Sequence, residues 1–135
     1  MKYILLIFIL FCTVTLQAQN SSENSKEYIL KGKTISDLDK GADCGYFKFA
    51  TVVEFKIIDF SDKTYKNNRV AIAVPCPEFY GNNFFKKGIT YILKVKILDE
   101  NTNKKDFDYS VQNMKTLEKY NNDKIYWPIS INKSK

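Results

Sequence analysis

The chain has 135 residues, with 21 Lys plus Arg against 15 Asp plus Glu, 44% apolar and 15% aromatic residues, and no histidine. That length supports one domain able to bury its own core, and the composition argues against collagen, coiled-coil and disordered classes. Without an imidazole there is no Ser-His-Asp or Cys-His nucleophile pair and no His-ligated zinc, which excludes most familiar hydrolase chemistry.

The chain opens on Lys2, an uncharged apolar stretch from Tyr3 to Leu16, and the small residue Ala18 ahead of Gln19. This pattern predicts a cleavable secretory signal over residues 1–18, with an apolar run too short for a comfortable bilayer span. Cleavage removes Lys2 and takes the net charge from +6 to +5. A polar, Ser- and Asn-rich leader is expected over 19–27, followed by a single domain over 28–135.

Tyr28 to Ile35 reads as a strand with Leu30 and Gly32 on one face and Lys31 and Lys33 on the other, its glycine marking a bulge or tight bend. Tyr46 to Asp59 alternates throughout, with Phe47, Phe49, Thr51, Val53, Phe55 and Ile57 opposite Lys48, Ala50, Val52, Glu54 and Lys56. Asn67 and Asn68 turn the chain into a third strand, Arg69 to Val74, which Pro75 stops. Gly88 opens a fourth, with Tyr91, Leu93, Val95 and Ile97 inward and Lys94 and Lys96 outward. Ser110 is a candidate N-cap for one short helix carrying Val111, Met114 and Leu117. Lys124 to Asn132 alternates again, with Ile125, Trp127, Ile129 and Ile131 on one face and Pro128 on the other, so this strand is expected at an edge or an opening. Five strands and one short helix predict a mainly β domain, a small antiparallel barrel or strongly bent sheet.

Cys12 would leave with the signal, so Cys44 and Cys76 remain as a single pair in a compartment where disulfides persist. Antiparallel pairing of the second and third strands brings both cysteines to one barrel end. They lack the CxxC spacing and the histidine partner that a reactive thiol or a zinc site would want.

The Gly-bearing first strand Leu30-Lys31-Gly32-Lys33, the long second strand, and the run of Cys76, Phe84, Phe85, Gly88 and Tyr91 resemble secreted oligonucleotide/oligosaccharide-binding (OB) barrels. Across Tyr28 to Leu98 the pattern is more specifically similar to the netrin-like and tissue-inhibitor-of-metalloproteinase branch. The resemblance implies a five-stranded antiparallel OB-like barrel. In that barrel the first and fourth strands are neighbours, which would gather Lys31, Lys33, Lys94 and Lys96 on one outer face. It also raises the alternative of a secreted inhibitor or modulator of an extracellular enzyme.

Asp99 to Asn103 begins like a calcium loop but has Lys104 where glycine and Ser110 where a bidentate acid are needed, so it reads as a turn. Asp37, Asp39 and Asp43 beside Gly41 form a second oxygen-rich turn. Asp106 and Asp108 are too close in sequence, on too small a barrel, for glycosidase chemistry. No enzyme activity, metal or cofactor is expected. The richer signal is aromatic: Tyr46, Phe60, Tyr65, Phe79, Tyr80, Phe84, Phe85 and Tyr126 sit near strand ends or in loops, and four of them crowd into Cys76 to Gly88. Some must plug the barrel, and the remainder can anchor a partner. The expected function is a secreted or periplasmic binding module. Its ligand would be an extracellular or envelope protein or an anionic glycan, held by Phe79, Tyr80, Phe84, Phe85 and the four lysines. Neither nucleic acid nor stable membrane insertion is expected.

Overall fold

The computed structural model describes residues 26–38, 43–98, 109–121 and 124–135, so the expected signal, most of the leader and the Asp99–Asn103 turn lie outside the described residues. The strands are β1 Glu27–Thr34, β2 Lys48–Phe60, β3 Arg69–Pro75, β4 Thr90–Leu98, β5 Tyr109–Gln112 and β6 Ile125–Lys133, with one helix, α1 Met114–Asn121, and a 3-10 turn at Pro77–Tyr80. Five of them close in the order β1-β4-β6-β3-β2 and back to β1, while β5 lies outside the ring against β2. The domain is thus mainly β, a five-stranded barrel with one helix, compatible with an OB-like barrel.

It is not purely antiparallel. An odd number of strands cannot alternate direction all the way round a closed ring, so at least one seam must be parallel. That seam is β3–β6, joined through the single pair Ile72↔Tyr126. The added β5 also runs parallel to β2, and the other pairings are antiparallel.

β1 buries every second residue, as its alternation predicts. Its register against β2 shifts between Lys31 and Gly32, and a Cβ at Gly32 would lie 2.9 Å from the Phe55 Cβ. The glycine therefore provides both the bulge and the close crossing of the two strands. The barrel interior is filled by Leu30, Val53, Phe55, Val70, Ile72, Val74, Tyr91, Leu93, Val95 and Tyr126.

Three sequence expectations change. In β2 both faces are buried from Ala50 to Val53, because α1 packs outside the barrel, where Val52, Ala71 and Ala73 meet Leu117 and Tyr120. The two alanines leave room for that helix. Ser110 does not cap a helix: residues 109–112 are extended as β5, and Asn113, at φ 63°, turns the chain into α1. In β6 the phase is the reverse of the expected one around Pro128. Tyr126 and Pro128 are buried, Trp127 and Ile125 pack toward the helix layer, and Ile129 is exposed. A register shift against Lys94 and Val95 restores Ile131 to the inside. Pro128 sits at that irregularity, on the strand bordering the thin seam.

The turn after β2 is fastened by buried polar groups. Asp62 accepts from the Thr64 N–H at 3.0 Å, the Thr64 hydroxyl at 2.6 Å and the Tyr126 hydroxyl at 2.7 Å, with the Lys124 ammonium 3.7 Å away. The Tyr65 hydroxyl lies 2.6 and 2.8 Å from the carbonyls of Arg69 and Tyr120, which share its single proton. The side-chain amide of Asn121 takes both backbone groups of Ala71, accepting from its N–H at 3.1 Å and donating to its carbonyl at 2.6 Å.

Thr51 is the exception. Its hydroxyl is buried without a hydrogen-bond partner among the described residues. Thr51→Val keeps the shape and removes a desolvated hydroxyl, so stability should rise by about 1 kcal/mol. The urea midpoint measures this, and a lower midpoint for the valine variant would contradict it.

Candidate functional site

Cys44 and Cys76 form a disulfide with their Cα atoms 5.5 Å apart, because β2 and β3 pair antiparallel with Ala50 opposite Pro75. The crosslink fastens the segment before β2 to the 3-10 turn after β3. Backbone bonds reinforce it: the Cys76 N–H donates to the Phe49 carbonyl at 3.0 Å, and the Cys44 N–H to a Glu78 carboxylate oxygen at 2.7 Å. The two sulfurs and that carboxylate lie within 4.8 Å of one another, but with both sulfurs joined the group is a crosslink and not a metal centre.

The aromatic segment divides into support and surface. Phe85 is buried, and Tyr80 and Phe84 are half-buried against the barrel core. With Tyr91 they form a cluster of rings with centroids 5.0–5.6 Å apart. The Tyr91 hydroxyl stitches the loop, donating to the Phe84 carbonyl and accepting from the Lys86 N–H at 3.3 Å. Burial raises the Tyr91 and Tyr80 phenols above their ordinary range. Phe79 alone of the four points out, 78% exposed. Phe60 and Tyr126 belong to the core, whereas Tyr46 is fully exposed and Phe47 is 72% exposed. Alternation had placed Phe47 inside, but it precedes the first residue of β2 and lies beyond the barrel wall.

Next to these rings runs a groove of about 480 Å³ lined by Asp37, Asp43, Glu78, Asn82, Phe84 and Lys86, among others. That size falls in the range of small-ligand sites. Three carboxylates against one ammonium make it acidic on a chain of net charge +6. Asp37 is oriented by the Lys87 N–H at 2.8 Å. Two of the aspartates of the oxygen-rich turn thus face the groove, while Asp39 and Gly41 lie outside the described residues, as do Asp106 and Asp108. Glu78 carried no sequence signal, since its partner is contributed by a segment 34 residues away.

Comparison with family models, curated proteins and solved structures returned no match.

The lysines are placed differently from the rings. β1 and β4 are neighbours, as the resemblance implies, and all four lysines share their outer face. The register, however, sets Lys31 opposite Ile92, Lys33 opposite Thr90, Lys94 opposite Ile29 and Lys96 opposite Glu27. Only Lys31 and Lys94 are diagonal neighbours, and Lys33 and Lys96 stand at opposite ends. Lys94 is also ion-paired to Glu27 at 2.5 Å.

Proposed function

We propose that the chain is a secreted or periplasmic, non-enzymatic binding module that holds a partner protein at the disulfide-fastened end of its barrel. The observation that carries this reading is the exposure of Tyr46, Phe47 and Phe79 on the two segments joined by Cys44–Cys76. Large rings left in water on a crosslinked frame are pre-organised anchors, with little conformational freedom to lose on binding. Tyr80, Phe84 and Phe85 act from behind as the floor of that surface, and the acidic groove supplies polar contacts at its edge. The disulfide, and the lack of a helix among the described residues long and apolar enough to cross a membrane, are compatible with an extracellular setting.

A photoreactive residue at position 79 should crosslink one discrete protein from the native compartment, and Phe47→Ala should abolish that adduct. The same probe at Glu118, on the exposed side of α1, should not give it. Equal adducts from both positions would overturn the reading. The disulfide-bonded barrel also supports the netrin-like alternative, a modulator of an extracellular enzyme. That alternative requires loss of protease rate at one-to-one stoichiometry, which the binding module does not.

A further inference from the structure

The strand registers create a cationic row that no single strand displays. Lys33 of β1 is the direct partner of Lys56 of β2, and Lys56 is the direct partner of Arg69 of β3. All three are exposed. On the far side of Lys33 the row continues with the hydroxyl of Thr90. Like charges placed directly opposite across strands are destabilising. Among the described residues, none of the three has an ion-pair partner; the ion pairs involve Lys63, Lys94 and Lys124 instead. The acid one step along this face, Glu54, lies opposite Ala71 and pairs with none of them.

We propose that Lys33, Lys56 and Arg69 bind a flexible polyanionic glycan, a chain bearing sulfate or carboxylate groups. Adjacent strands are about 4.8 Å apart, so the Cα atoms of the three residues span roughly 10 Å along the wall, and their charged ends fan out farther. Five strands close the ring, so the wall turns by about 72° per strand, and three successive strands present a strongly curved surface. A flat bilayer touches one strand of such a wall, whereas a flexible chain wraps all three. Among the described residues, the same-face strand neighbours of the row, Lys31, Glu54, Ala71 and Thr90, include no aromatic ring on which a base could stack, which disfavours single-stranded nucleic acid. Arg69 adds a planar fork suited to bidentate contact with sulfate or carboxylate.

Heparin is the probe, titrated against the oxidised full chain at low salt. The variant Lys33→Gln/Lys56→Gln/Arg69→Gln should bind roughly a hundredfold more weakly, with a clearly shallower salt dependence. The equally discharged control Lys115→Gln/Lys119→Gln/Lys135→Gln should lose less than about fivefold. Without heparin the row variant should melt at or above the wild-type temperature, because facing like charges have been removed. Equal losses in the two variants would overturn the proposal, as would tighter binding of oligothymidylate or phosphatidylserine vesicles than of heparin. A row variant that melts lower while losing heparin would assign the effect to the fold and overturn it too. Position 79 crosslinking is unaffected by any of these outcomes, so the row and the aromatic end stand or fall separately.

Discussion

Replacing Cys44 and Cys76 together by serine should lower the melting temperature by roughly 10–20 °C. The two residues are 32 apart in sequence, and closing a loop of that length restricts the unfolded chain by about 3–4 kcal/mol on the loop-entropy estimate. The folded state has little reason to change locally. The Phe49 N–H donates to the Cys44 sulfur at 3.3 Å, and a serine oxygen at that position still accepts. The Cys44 N–H keeps Glu78. The loss should therefore appear as a shift in midpoint with an unchanged far-ultraviolet spectrum. Two free thiols in the denatured wild-type protein, taken from an oxidising compartment, would refute the crosslink. An unshifted midpoint would refute its energetic role.

Asp62→Ala should cost about 3 kcal/mol at pH 7, because it strands the buried Tyr126 hydroxyl and removes both hydrogen bonds from Thr64. Burial alone would push this carboxyl up. The hydrogen bonds from Thr64 and Tyr126, together with the nearby Lys124 ammonium, outweigh burial and hold it below its ordinary range. A carboxyl depressed in the folded state contributes stability above its unfolded value, near pH 3.9, and loses it as pH falls through the folded value. The gap between wild type and Asp62→Asn should therefore close as the pH drops from about 4 toward 2. At the other extreme, burial first and the Asp62 carboxylate second hold the Tyr126 phenol well above its usual range. A raised phenol favours the folded protein while neutral, so stability should fall as the pH rises past about 10. Urea midpoints across pH measure both limbs, and a wild-type advantage over Asp62→Asn that stays constant down to pH 2 would rule the network out as the cause.

Local alternation made β1, β3 and β4 legible, together with the disulfide that follows from pairing β2 with β3. What the sequence left hidden depends on partners far away in the chain. The alternation of β2 gives no hint that Ala50 and Val52 are covered, because the covering helix comes more than fifty residues later. The helix start was misplaced because Ser110 and Val111 gain more by extending along β2 than by entering a helix. The shifted phase of β6 originates in a bulge against β4. At the candidate site, Phe79 was legible as one of a crowd of loop rings, but sorting it from Phe85 required the wall on which they pack. The Lys33-Lys56-Arg69 row was invisible for a related reason: each cation is unremarkable on its own strand, and only register makes them neighbours.

The bond between Asn121 and Ala71 has a topological consequence. β3 and β6 share one paired residue, and one position earlier on β3 a helix side chain occupies the ladder. Asn121 thus acts as a one-residue strand, sealing a ring that the backbone alone leaves almost open. Without that amide bridge the β3–β6 seam would rest on Ile72↔Tyr126 alone, and the β3 edge beside it would offer unpaired backbone groups of the kind that accept an extended segment. The last turn of a short helix therefore helps to latch the ring shut.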